Sequence, residues 1–421
     1  MADPIPTEPK YVRLPFNSTP RTGENDLYKC IFNPNKMARD GEFDFKQDYY
    51  LKYYEGSSPD PRTNNTFWFD HYDITFVSQT TSVRLFYLNH FLKRWKGFTL
   101  LFPVIHSPIS ITVFLNKTEL PEVEAYIQKS KYPKRLRLAL YVTAISDQKD
   151  CVYHFVNDEL VCLEQTVYPL NRLRNIAIDN TRTSHFILLD MDMWPAKSAY
   201  QVLMTLPPSY YSNPYSVMII PAFFLSKSVL DPEYCKDLKS CVESAIKYYP
   251  ETKQDLIKCI KSENCSQFRN GVRNHNIIPD NWRWLPQTTQ YTPIKCFHER
   301  YWEPYVMVRR WSKLPYFDER FINYGCNKVQ WIEHLRYLGF EFSVLSQSYA
   351  LDMPHPPSGF ATSYIADVRK GKNGLYWLYR RFLHDMREKQ KDESRVLLCL
   401  PHVGDGKKCR VCFKQTINGS E

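Results

Sequence analysis

Hydrophobic and polar positions change period repeatedly along the 421 residues, and the changes outline alternating strands and helices. Residues 72–78 (YDITFVS) are β-branched and aromatic, which predicts a strand. Leu85, Leu88, Phe91 and Leu92 then recur at helical spacing within residues 82–95. Residues 109–115 (ISITVFL) predict a second strand, 120–129 a helix, and 136–143 (LRLALYVT) a third strand. A helix over 168–178 precedes a buried strand at 184–189 (SHFILL) and another at 215–224 (YSVMIIPAFF). Farther on, 303–308 and 340–345 are strand-like, 327–338 is helical, and 374–391 is a charged helix. Short apolar runs alternating with helices place the chain in the α/β class, with a mostly parallel sheet flanked by helices. Ligands of such folds sit beyond the carboxyl ends of the strands.

Outside that alternation the pattern changes character. Residues 1–68 are rich in Pro, Asn, Asp and Tyr without a sustained period, and predict an extended arm packed on the domain. Residues 69–370 form the main domain, interrupted at 231–300 by a polar, cysteine-bearing insertion. Residues 371–421 supply a final helix and a cysteine-containing tail. There is no internal repeat and no low-complexity tract.

Composition narrows the function. With 43% hydrophobic and 24% charged residues, the chain can build a large core and is not a disordered protein. The formal charge of +10 suits anionic partners such as nucleotides or acidic glycans. Lys and Arg are scattered rather than grouped with aromatic residues, which argues against nucleic acid and assigns much of the charge to a solvated surface. Of the twelve cysteines, Cys235, Cys241, Cys259 and Cys265 fall together in the insertion, a pattern suited to local disulfides in an oxidising lumen; spacing leaves their connectivity open. Asn-x-Ser/Thr acceptor sites at Asn17, Asn64, Asn116, Asn264 and Asn418 point the same way. No run reaches the roughly 18 apolar residues of a membrane span. The N-terminus lacks a signal pattern, so for a lumenal protein the targeting segment is expected to lie outside this chain.

Three segments carry chemistry. In HFILLDMDMWP, residues 185–195, a buried strand runs into Asp190 and Asp192. On an extended chain, positions two apart share a face, so both carboxylates can reach one hard cation such as Mn²⁺ or Mg²⁺. In YPLNRLRNIA, residues 168–177, Leu170, Leu173, Ile176 and Ala177 form an apolar stripe, while Asn171, Arg174 and Asn175 share another face. Arg can grip a diphosphate and Asn can bond a base or ribose, although on its own this face also reads as solvated helix surface. In DMPHPPS, residues 352–358, His355 is held among prolines in a loop, placed for a ligand role.

Together with WEPYVMVRR (302–310), YFDERFINYGCNKV (316–329) and ITFVSQTTSVRL (74–85), these segments resemble, in order and spacing, the LARGE and β-1,4-glucuronyltransferase family of glycosyltransferases. The likeness covers roughly residues 70–365. It implies a GT-A-type (Rossmann-like) fold, a Mn²⁺ or Mg²⁺ ion, and inverting transfer from a UDP-sugar, above all UDP-glucuronate, to a glycan or glycoprotein in the Golgi or secretory lumen. Carried over, Asp190 and Asp192 become the metal pair and His355 the third ligand. Arg84, Asn171 and Arg174 would contact the nucleotide, with Lys328 near the donor. An inverting transfer also needs a base for the acceptor hydroxyl, and Asp318, Glu319 and Asp352 are the candidates. Arg309, Arg310 and Lys328 are the basic residues available to a glucuronate carboxylate.

The sequence departs from the family at two places. Asp352 stands where LARGE-type chains often carry His, and residues 98–107 are extra relative to the family pattern, which predicts either a family-atypical loop or an artefact of the gene model. Two other readings compete. One is a non-catalytic glycan-binding or scaffold protein on the same fold. The other is a zinc site formed in the tail by Cys399, Cys409, Cys412 and His402.

Overall fold

The computed structural model describes residues 49–55, 73–82, 107–130, 132, 135–143, 149–156, 159–226, most of 229–300, 301–355, 362, 366 and 374–399. The helix expected from residue 82 to 95, nearly all of the loop at 98–107, and Cys409, Cys412 and His402 lie outside these residues, as does Arg84. The chain divides into two compact units. One comprises residues 1–191, 310–327 and 356–385; the other comprises 192–309, 328–355 and 386–421.

In the first unit the strands are β1 (Tyr49–Glu55), β2 (Ile74–Thr81), β3 (Ile109–Asn116), β4 (Leu136–Thr143), β5 (Lys149–Val156), β6 (Glu159–Thr166) and β7 (His185–Leu188). Their helices are α1 (Leu120–Ser130) and α2 (Leu170–Asp179). Five strands lie in the order β1-β4-β3-β2-β7. β4, β3, β2 and β7 are mutually parallel, while β1 runs antiparallel along β4. The chain thus winds outward from β2 to β4 and returns on the other side of β2, so the strand order reverses between β2 and β7. In α/β folds that reversal opens a ligand crevice at the carboxyl ends of the strands.

All of β2 except its last residue is buried, as parallel strands covered on both faces require. α2 packs on β3 through Ser110 Oγ, which donates to the Ala177 carbonyl at 2.7 Å. Leu173 and Ile176 of α2 join Ala139 and Tyr141 of β4 in one apolar cluster. Burying a residue such as Leu173 contributes about 2 kcal/mol.

One expectation needs correction in this unit, and two of its elements were not foreseen. Part of the arm, residues 49–55, is an edge strand, because β4 offers it a ladder of backbone groups that must be paired. The polar face of α2 is not solvated: every residue from Leu170 to Ile178 is buried. An unforeseen hairpin joins β5 to β6, with Val156 opposite Glu159.

The second unit carries β8 (Met193–Pro195), β9 (Ser216–Ile220), β10 (Ala222–Leu225), β11 (Cys265–Gln267), β12 (Tyr291–Pro293), β13 (Cys296–Phe297), β14 (Tyr305–Arg309), β15 (Glu341–Leu345), β16 (Ala350–Asp352) and β17 (Leu397–Leu398). Strands β14-β9-β15-β12 are neighbours in that order, and β11-β10-β16-β8 form a separate sheet. The single strand expected at 215–224 is therefore two strands in two sheets. Pro221 separates them, since proline has no N–H to continue a ladder. Disulfides Cys235–Cys241 and Cys259–Cys265 staple the insertion. Cys296–Cys399 fastens β13 beside β17, which removes Cys399 from the proposed zinc set. Among the described residues no helix is long and apolar enough to cross a membrane.

Within the insertion, Lys253 is buried with its Nζ 4.5 Å from the centre of the Trp282 ring and no hydrogen-bond partner among the described residues. Burial pushes its pKa down to about 8. The charged form is thus disfavoured in the folded state; the penalty is full below about 8 and fades as pH rises toward the unfolded value of 10.5. Stability is expected to rise from this group between those pH values. Lys253→Met should add about 2 kcal/mol at pH 7 and flatten the rise, as read by urea unfolding across pH.

Candidate functional site

In the first unit, the carboxyl ends of β2 and β7 meet a buried network. Gln79, next to the end of β2, donates from Nε2 to Asp190 Oδ1 at 2.9 Å. Asp190 lies two residues beyond β7 and is partly exposed. The same Oδ1 accepts from Arg174 Nη2 at 3.0 Å. Arg174 is 1% exposed, with Cζ 5.4 Å from the centre of the Phe317 ring. Its other amino group donates to Asn171 Oδ1 at 3.1 Å and Asn327 Oδ1 at 3.0 Å. Burying a guanidinium is costly unless its donors are met, and here two amides and one carboxylate bind its two amino groups, while Nε has no hydrogen-bond partner among the described residues.

Asn171 and Asn175 do a different job from the one their shared face suggested. Asn171 Nδ2 donates to the Asp318 and Asn327 carbonyls at 2.9 and 3.3 Å. Asn175 accepts from Phe317 N–H and donates to its carbonyl, both at 3.0 Å. Together they hold the 317–327 segment against α2. Glu319 is bound by Arg172 Nε at 2.8 Å and Asn175 Nδ2 at 3.1 Å, and both Asp318 oxygens take the Arg320 guanidinium. Two of the three candidate bases therefore have guanidinium partners. Arg310 donates to the Thr181 carbonyl.

In the second unit, three ligand-type side chains converge. β16 runs antiparallel to β8 with Asp352 opposite Met193, and Met353 N–H donates to the Asp192 carbonyl at 3.0 Å. That register brings Asp352 beside Asp192. Pro354 and Pro356 bias the residues before them toward extended backbone, which limits where the His355 ring can go. His355 Nε2 lies 3.3 Å from Asp192 Oδ2 and 3.8 Å from Asp352 Oδ1. One ligand atom from each residue falls within 4.8 Å of the others. Ligand atoms on one octahedral ion at about 2.1 Å lie about 3.0 Å apart when adjacent and about 4.2 Å apart when opposite. The spacing fits a single ion. Two carboxylates with one imidazole suit Mn²⁺, which takes nitrogen more readily than Mg²⁺ does.

Leu189 still bonds β2 through its N–H to the Val77 carbonyl, but residues 191–192 turn, so the two-apart rule for an extended chain does not apply to Asp190 and Asp192. Lys328 is buried with Nζ 3.8 Å from the centre of the Tyr305 ring. Arg309 Nη1 donates to the Ser212 carbonyl at 2.8 Å. Two participants were missed by sequence reasoning. Gln79 and Asn327 lie inside segments that carry the resemblance, but neither was given a role there, because their contacts with Asp190 and Arg174 depend on tertiary folding.

Comparison with known proteins adds an independent line. Residues 73–389 match the family model described as "Glycosyl-transferase for dystroglycan". The chain is 29% identical over 329 residues to the xylosyl- and glucuronyltransferase LARGE1 of Mus musculus, covering 77% of this chain and 36% of that protein. It is 28% identical over 351 residues to LARGE1 of Danio rerio (82% and 37%). It is also 28% identical over 294 residues to the glycosyltransferase-like protein gnt14 of Dictyostelium discoideum (68% and 38%). The chain spans about a third of the length of these curated relatives. Among solved structures, GalNAc-T7 with UDP, GalNAc and Mn²⁺ is similar at TM-score 0.36 and 10% identity, over 68% of this chain and 45% of that one. Staphylococcus aureus TarS is similar at TM-score 0.33 and 13% identity (66% and 60%). Both likenesses are too loose to place a residue. The match over residues 73–389 spans most of the chain, and the protein belongs to the dystroglycan glycosyltransferase family.

Proposed function

We propose that this protein is a metal-dependent, inverting glycosyltransferase that moves a sugar, glucuronic acid in the first instance, from a UDP-sugar to a glycan or glycoprotein acceptor. The observation that carries the reading is the convergence of Asp192, Asp352 and His355 in the second unit. These three residues would hold a Mn²⁺ or Mg²⁺ ion. Such an ion, when bound, supplies Lewis-acid neutralisation of the departing diphosphate. In the first unit, Gln79 and Arg174 fix the rotamer of Asp190 at the strand-order reversal, where a sugar nucleotide belongs by the logic of the fold. Asn171 and Asn175 keep the 317–327 segment in place behind it. Held groups of this kind act on the transition state through position and charge, and lose no energy to reorganisation as the bond breaks. Family membership and the names of the relatives support the donor class. The three disulfides among the described residues fit an oxidising lumen such as the Golgi.

The test is a panel of UDP-sugars, UDP-glucuronate and UDP-xylose among them, scored for UDP release with Mn²⁺ and again after EDTA. Release with UDP-glucuronate that EDTA abolishes is the expected result. Glycan binding with no UDP release from any donor would establish the non-catalytic scaffold instead.

A further inference from the structure

The second polar end of Gln79 is not used by any of the described residues. Its side-chain orientation is fixed by chemistry: the Asp190 carboxylate can only accept, so the amide nitrogen must face it and the carbonyl oxygen Oε1 must face away. That oxygen is buried and has no hydrogen-bond partner among the described residues, in a residue only 6% exposed. A buried acceptor without a donor is unfavourable, and buried polar groups are rarely left so. The orphan sits near the carboxyl end of β2, beside β7, where the strand order reverses.

We propose that Gln79 is a ligand-reading residue as well as the brace of Asp190: its Oε1 accepts a hydrogen bond from a ring hydroxyl of the bound nucleotide sugar. The inference rests on the UDP-sugar reading above and extends it to a residue to which the resemblance assigned no role. The neighbouring chemistry selects the hydroxyl. Gln79 Oε1 and the partly exposed Asp190 carboxylate are both acceptors, and a vicinal diol, as on ribose, offers two adjacent donors. The uracil edge presents one N–H flanked by two carbonyl oxygens, which two acceptors would repel.

Gln79→Met keeps the length and volume of the side chain while removing both polar ends. Calorimetric titration with UDP, 2′-deoxy-UDP and 3′-deoxy-UDP, each with Mn²⁺, reads the effect directly. The wild-type chain is expected to bind UDP about tenfold more tightly than at least one deoxy analogue, and Gln79→Met to lose about tenfold for UDP and show no such discrimination. Thermal unfolding without ligand supplies the second readout. Loss of the Nε2 bond to Asp190 lowers the midpoint and relief of the orphaned acceptor raises it, so a role confined to the fold is read as a lowered midpoint together with an unchanged preference over the deoxy analogues.

If the wild-type chain fails to bind UDP at all, the nucleotide reading itself falls. If it binds UDP and Gln79→Met binds with the same affinity and the same preference over the deoxy analogues, only the role of Gln79 is overturned, and a buried water is its partner. A lowered midpoint with discrimination intact overturns it equally.

Discussion

Asp192→Asn is expected to lower kcat/KM for UDP-sugar turnover by about 10³-fold while the protein stays folded. The substitution replaces one charged oxygen by an amide of the same shape. Because the Asp192 side chain is 20% exposed and not part of the core, the thermal midpoint should hardly move. The loss should fall on catalysis, since electrostatic groups aimed at developing charge are each worth about 10²–10³ in rate. His355→Ala separates ligand from shape, because the imidazole is the one nitrogen in the cluster. It should raise the Mn²⁺ concentration needed for half-maximal rate by at least about tenfold, with part of the lost rate recovered at high metal. Initial rates over a Mn²⁺ titration measure both effects. Turnover of Asp192→Asn within a few-fold of wild type, at an unchanged metal requirement, would sink the assignment of this cluster.

The sequence reveals those parts of the fold whose signal is local. β2, β3, β4, α1 and α2 follow from runs in which apolar residues alone decide the period, and their observed limits lie within a few residues of the expected ones. Elements specified by a distant partner are harder to read. Residues 49–55 look like arm until β4 is there to receive them. The β5–β6 hairpin did carry a local cue, since its strands are separated by the turn-forming pair Asn157-Asp158 between β-rich segments.

The candidate site divides along the same line. The Asp-x-Asp spacing of Asp190 and Asp192 and the proline-framed His355 are visible in the sequence. That His355 meets Asp192 and Asp352 together depends on the β8–β16 register, which joins residues about 160 apart in sequence. Arg174 stood out as a cation on a helix face, but its partner was hidden. Asp190 receives it only because β7 lies next to β2 and α2 packs against both β2 and β3. The same holds for Asn171 and Asn175, whose backbone partners lie about 145 residues downstream.

Replacing both Cys296 and Cys399 with Ser is expected to destabilise the second unit by about 4 kcal/mol, more than loss of either short disulfide. The bridge closes a loop with a sequence separation of 103, against 6 for Cys235–Cys241 and for Cys259–Cys265. In chain-entropy terms the long closure removes about 4.7 kcal/mol of unfolded-state freedom and each short one about 2 kcal/mol. The structure gives the long bridge further weight. It pins β17 against β13, next to the segment where Arg336, buried and paired with Glu333, also binds Ser394 Oγ and the Val396 carbonyl. Freed from the bridge, residues 394–399 would hold their place by that network, the exposed Arg395–Glu341 pair and a two-residue ladder. Against a typical folding stability of about 5–15 kcal/mol, such a loss is large enough to read by urea unfolding of the double variant. Loss in the order long bridge, then either short bridge, is the expected ranking. Equal losses for all three would show that native-state packing around the sulfurs, and not loop length, sets their contribution.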